Sequence, residues 1–236
     1  MSRYYYSYYY DPTYILVFVG LILCVAASFL EKATYKKYNQ VYASRCMTGA
    51  QVAETILKNA GIYDVRIEQV AGDLTDHYDP RNKVLRLSGS TYHSSSVASI
   101  GVAAHEVGHA IQHDTGYMPL KLRNAILPVA NLGSQLGVPL VIIGLVFASA
   151  DFLVNLGIIL FTFAVLFQVV TLPVEFNASK RAVKLLDEQG ILYGEELPMC
   201  KKVLNAAAMT YVASAASSAL QLLRLVLLSG GKRRRD

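Results

Sequence analysis

The chain has 236 residues, 53% hydrophobic and 17% charged, with a formal net charge of +5. Soluble domains carry about 25% charged residues, so this composition excludes an ordinary soluble protein and points to a membrane protein. The basic excess does not form one nucleic-acid patch. Its single run, residues 232–235, reads as an anchor attracted to anionic lipid, with an Arg-rich RNA contact as the lesser alternative.

The chain starts with a Tyr-rich segment, residues 1–12, which suits a membrane interface where ring and hydroxyl meet different solvents. A cleaved signal peptide is disfavoured, because Arg3 is the only basic residue there and the next apolar run is long. Residues 13–30 carry no charge and are expected to form a first transmembrane helix. Lys32, Lys36 and Lys37 follow it. By the positive-inside bias they place residues 31–124 in the cytoplasm and the N-terminus outside.

Residues 31–124 read as an α+β region. Thr48 and Gln51 have capping-box spacing and Gly61 gives a stop, so a helix is expected over about 49–60. Residues 65–70 alternate like a strand. Asp79-Pro80-Arg81-Asn82 is a turn, and residues 84–87 form a second strand, which could bind an extended substrate along its edge. Residues 94–96 can cap a helix over about 97–113.

That helix carries His105-Glu106-Val107-Gly108-His109. Histidines at i and i+4 share a helical face and can bind one zinc ion. Glu106 beside them can take a proton from a zinc-activated water. His113 lies eight residues after His105 and reads as an ordinary helix-end histidine. The metzincin pattern wants its third histidine at the position Thr115 occupies. His93 is expected to cap or pack. Residues 76–79 read as a turn. In the functional alternative, His77 or Tyr78 reaches the cleft and donates a hydrogen bond to a developing oxyanion.

Residues 125–150 and 152–174 are uncharged and should form a membrane hairpin with Asp151 near its outer turn. Gly133 and Gly137 read as close-packing positions. Glu175 then returns to the cytoplasmic end. A catalytic zinc takes three protein ligands, and Glu175 is the best third. From the residues alone it is either that ligand or an interfacial carboxylate paired with Lys180 or Arg181; the upstream H-E-x-x-H favours the ligand. Pro173 suggests that a new helix segment starts there, covering 175–202. Residues 203–228 form a membrane-embedded helix, rich in Ala and Ser, whose full crossing is left open. If it crosses, the basic tail at 229–236 lies outside, against the charge bias. Cys24, Cys46 and Cys200 show no zinc-knuckle or disulfide pattern.

The residues 105–113 and the run Leu172-Pro173-Val174-Glu175-Phe176-Asn177-Ala178-Ser179-Lys180-Arg181-Ala182 resemble the YugP-type membrane zinc metallopeptidases over nearly the whole chain. The layout is also similar to HtpX-type and CAAX prenyl proteases. The resemblance implies a mainly α integral membrane protein: a zincin-like α+β catalytic region with a small sheet, packed on three or four membrane helices. It implies one Zn2+ per chain, held by His105, His109 and Glu175, with Glu106 as general base. The substrate would be a polypeptide, membrane-associated, and the setting a bacterial cell membrane, with a role in membrane protein quality control. Those relatives carry an aspartate four residues after the glutamate. Here Ser179 stands there, and Ser179 and Asn177 are candidates to support the ligands. Two rival readings are a site-2-type intramembrane protease and a non-enzymatic membrane scaffold that retains a zinc site.

Overall fold

A computed structural model describes residues 11–147 and 150–233. The Tyr-rich segment at 4–10 and the end of the basic tail lie outside the described residues. The element order is α1 (Tyr14–Tyr38), α2 (Gly49–Asn59), β1 (Arg66–Val70), β2 (His77–Asp79), β3 (Val84–Ser88), α3 (Gly89–Tyr92), α4 (Val97–Asp114), α5 (Met118–Val146), α6 (Asp151–Glu188) and α7 (Glu196–Arg233). The protein is therefore mainly helical with one small sheet.

Among the described residues, four helices are long and apolar enough to cross a membrane: Tyr14–Tyr38, Met118–Val146, Asp151–Glu188 and Glu196–Gly230. α5 and α6 pack as a hairpin. Small residues let the two backbones approach: a Cβ on Gly137 would sit 2.8 Å from Phe161 Cβ, and one on Gly157 2.6 Å from the Gly137 carbonyl oxygen. α1 and α7 form a second pair. Arg224 Nη2 lies 3.1 Å from Asp11 Oδ2, and the Arg224 guanidinium sits over the Tyr14 ring. A Cβ on Gly20 would lie 2.6 Å from Ser217 Oγ. α7 thus runs antiparallel to α1, and its far end returns to the start of the chain.

Two differences from the sequence expectation concern the long helices. α6 does not break at Pro173; it runs unbroken to Glu188. Proline removes one hydrogen bond and crowds the preceding turn, but in an apolar setting neighbouring helices and local adjustments can re-satisfy the freed group. Likewise, α7 starts at Glu196, before its uncharged stretch.

The α+β region follows its local signals. Thr48 and Gln51 cap α2 reciprocally, and Gly61 takes the positive φ of 74° that stops it. Ser96 Oγ accepts from the Ser99 N–H at the start of α4. Gly116, at φ 62°, turns the chain out of it. The sheet order is β1-β3-β2, with β1 parallel and β2 antiparallel to β3. This corrects the substrate-edge expectation: residues 84–87 form the central strand, paired on both sides, and offer no free edge. Val84, Leu85 and Leu87 are fully buried. Leu85 and Leu87 join Val52 and Ile56 of α2, Ile100 and Val107 of α4, and Leu186 of α6 in one core. α4 is therefore held between the sheet and α6.

Candidate metal centre

α4 brings His105, Glu106 and His109 together by helical spacing: their ligand atoms all lie within 4.8 Å of one another. α6 brings Glu175. Its Oε2 is 3.2 Å from His105 Nε2 and 3.5 Å from His109 Nε2. The approach depends on Gly108, where a Cβ would sit 2.7 Å from the Ala178 carbonyl oxygen. The motif's own glycine thus sets the α4–α6 distance at the site.

Each histidine is oriented through its other nitrogen. His105 Nδ1 lies 3.0 Å from Ser179 Oγ. The serine thus fills the bracing position with a neutral group. His109 Nδ1 lies 3.0 Å from Gln112 Oε1. Gln112 Nε2 donates to the Val174 carbonyl at 2.8 Å and to Asn177 Oδ1 at 3.0 Å. The carbonyl can only accept, so the amide orientation is settled and Oε1 must face His109. His109 Nδ1–H is then the donor. In the neutral ring the Nε2 lone pair points at a carboxylate oxygen, which is favourable only with a cation or proton between them.

Electrostatics agree. Burial works against a charged His109, yet the hydrogen bond to Glu175 and the negative charge of Glu106 outweigh it and raise its pKa. Glu175 is 4% exposed and its Oε1 is paired with Arg123 Nη1 at 3.3 Å. Two imidazole nitrogens and one carboxylate oxygen converge on one point, which is the donor set of a zinc site with an open position. The residues present fit the ion.

Glu106 Oε2 accepts the Tyr78 backbone N–H at 3.0 Å. The side chains of residues 77 and 78 have partners outside the His105–His109–Glu175 cluster. His77 is exposed, with Nδ1 2.8 Å from the Thr75 carbonyl and Nε2 3.4 Å from Arg86 Nη1; strand alternation turns it away from the side of Tyr78. The Tyr78 hydroxyl lies 2.9 Å from His113 Nδ1. Burial and the charges of Asp64 and Asp79 push its phenol up to about 12. His93 packs against Tyr92 and Gln69.

Asn177 reaches the site through Gln112, and also accepts from Arg181 Nε at 2.8 Å. Gln112 and Arg123 were not singled out in the sequence. The available signal for Gln112 was its place three residues after His109, where helical side chains meet.

The centre opens into a cavity of about 150 Å3 that also touches Glu31 of α1 and Leu204, Ala207 and Tyr211 of α7. A larger groove of about 520 Å3 lies between α2 and β1. Its charged residues Glu54 and Lys58 pair with each other, and it holds none of the motif residues.

The fold and site define a helical membrane protein with a zinc-type donor set between α4 and α6. The chain belongs to the family described as "Putative neutral zinc metallopeptidase", whose model matches residues 13–230. It is similar to the "Putative membrane protease YugP" of Bacillus subtilis (strain 168), with 47% identity over 213 residues, covering 90% of this chain and 94% of that protein. No solved structure matches.

Proposed function

We propose that the protein is an integral-membrane zinc endopeptidase, with His105, His109 and Glu175 holding one zinc ion and Glu106 acting as general base. The observation that carries this reading is the convergence of His105 Nε2, His109 Nε2 and Glu175 Oε2 beside Glu106. Zinc bound there supplies Lewis-acid polarisation of the scissile carbonyl and a lowered pKa for water. Glu106 is held through Oε2 by the Tyr78 N–H, so Oε1 is left to take the water proton and pass it to the leaving nitrogen. Arg123 holds Glu175 Oε1, which keeps Oε2 turned to the histidines. Ser179 and Gln112 fix both ring orientations.

The strand beside the site is β2. Tyr78 faces Leu85 in the ladder, and its N–H turns outward to Glu106, so the pair lacks mutual hydrogen bonds and the Tyr78 carbonyl also lies on the free edge. An extended polypeptide pairs there. The rival site-2 reading places the motif inside a spanning helix. Here α4 packs on the sheet and α2, and none of the four candidate spans includes it.

The site belongs at the membrane surface. Glu175 is 24 residues beyond the start of α6, about 36 Å at helical rise, against a hydrocarbon core of about 30 Å. Lys32, Lys36, Lys37, Lys180, Arg181, Lys184, Lys201 and Lys202 lie around this end of the helices; they outnumber the basic run at 232–235, which comes at the far end of α7, and so favour the cytoplasmic face of the cell membrane for the site. A role in membrane protein quality control fits that position.

Glu106→Gln tests the reading in purified protein. The variant should retain zinc and lose cleavage of labelled casein. Cleavage at the wild-type rate would show that Glu106 is not the base. A scaffold retaining zinc has no use for Glu106, and its wild-type form would show no cleavage to lose.

A further inference from the structure

We propose that Tyr211 is a catalytic residue whose hydroxyl donates a hydrogen bond to the oxyanion that forms on the scissile carbonyl; this rests on the peptidase reading above. The helical face of α7 that looks into the active cavity carries Leu204, Ala207, Ala208 and Tyr211, at spacings i, i+3, i+4 and i+7. The two alanines leave space beside His105 and Glu106. Tyr211 is the long side chain on that face, and it carries a polar tip.

Elimination among the cavity's hydroxyls singles it out. Ser179 Oγ is committed to His105 Nδ1. Thr210 Oγ1 donates to the Ala207 carbonyl at 2.7 Å. The Tyr78 hydroxyl, outside this cavity, is committed to His113. Tyr211 alone among these has a hydroxyl with no hydrogen-bond partner among the described residues. Tyr211 is half-buried, and its hydroxyl is not among the buried groups closed off from solvent, so it is free to meet an incoming group. A ligand oxygen in the same cavity as His105, Glu106 and Glu175 supplies that partner.

The step balances without further reagents. Water oxygen bonds to the carbonyl carbon, and the water proton goes to Glu106. The carbonyl π pair moves to its oxygen, where the Tyr211 O–H donates a hydrogen bond and keeps its proton. Collapse restores the carbonyl, breaks the C–N bond and sends the proton from Glu106 to the leaving nitrogen. Donors placed where charge develops act only in the transition state, so they raise kcat.

The test compares zinc-loaded, full-length wild type, Tyr211→Phe and Glu106→Gln in detergent. Because the hydroxyl has no internal partner, Tyr211→Phe should fold and bind zinc as wild type does. On labelled casein it should lose about 10²-fold in kcat, as for removal of one oxyanion donor, with KM within about threefold. A phosphinic pseudopeptide, which mimics the tetrahedral oxygen, should bind about 10²-fold more weakly to the variant. A thiol-headed peptide of the same sequence lacks that oxygen and should bind within about twofold. If Glu106→Gln is inactive but Tyr211→Phe retains kcat, the Tyr211 role is wrong and the peptidase reading stands. Equal weakening of both inhibitors marks a structural role and also overturns it. A wild type that neither cleaves casein nor binds the phosphinic peptide overturns both.

Discussion

Gln112 Oε1 accepts from His109 Nδ1 at 3.0 Å, while the same side chain donates to the Val174 carbonyl of α6. One fully buried amide therefore sets the tautomer of a proposed ligand and ties the motif helix to the helix that carries Glu175. Replacing it by Leu keeps the volume but leaves His109, Val174 and Asn177 without their partner. Unsatisfied buried groups cost about 1–3 kcal/mol, and loss of a ligand-orienting contact costs about 10–100-fold in metal affinity. Gln112→Leu should show that loss in a chelator competition for zinc. Wild-type affinity would remove Gln112 from the account.

Gly108→Ala probes the close approach of α4 and α6. Its Cβ would meet the Ala178 carbonyl oxygen at 2.7 Å and Ala178 Cα at 3.1 Å. Both are backbone atoms, so the helices must separate. Overpacking of this kind costs about 1–3 kcal/mol. We expect a lower Tm in detergent together with weaker zinc retention, because Glu175 moves with α6. An unchanged Tm would mean that the contact is softer than its geometry implies.

Much of this centre was legible in the sequence. The spacing of His105 and His109 on a capped helix, and Glu175 at the end of an uncharged run, already mark the residues that converge. The supporting parts were not legible, for physical reasons. Gln112 is a polar residue in mid-helix, and local pattern does not separate a buried amide from a solvated one. β2 is only three residues long, too short to show alternation, and Asp79-Pro80 at its end reads as turn. Strand order depends on tertiary packing, so the central place of β3 had no local signal. Pro173 ordinarily marks a break, yet α6 continues through it. The Ala- and Ser-rich stretch of α7 carries no local sign of a cavity wall, because its contribution to the cavity depends on α7 lying against α4 and α6.

The β2–β3 hairpin should respond to acid through Asp79. Its carboxylate accepts from Asn82 Nδ2 at 2.8 Å and Arg86 Nη1 at 3.0 Å, and from the Asn82 and Arg81 backbone N–H groups. The side-chain contacts of Asn82 and Arg86 hold its pKa well below the usual carboxylate range. A depressed folded-state pKa gives stability that is complete above the unfolded value, about 4, and is lost as pH falls through the folded value. Amide protection in the hairpin should therefore stay constant from neutral pH to about 4 and decline below it. Asp79→Asn should weaken protection at neutral pH and flatten the acid decline. The same acid profile in both proteins would place the acid-sensitive group elsewhere.

The proposed metal centre begins on α4 and is completed by Glu175 of α6, and zinc content reads it directly. Elemental analysis of purified wild type should return one zinc per chain, and Glu175→Ala should lose it while remaining folded. A Glu175→Ala protein with the wild-type zinc content would contradict the claim, because the third ligand would then come from another residue.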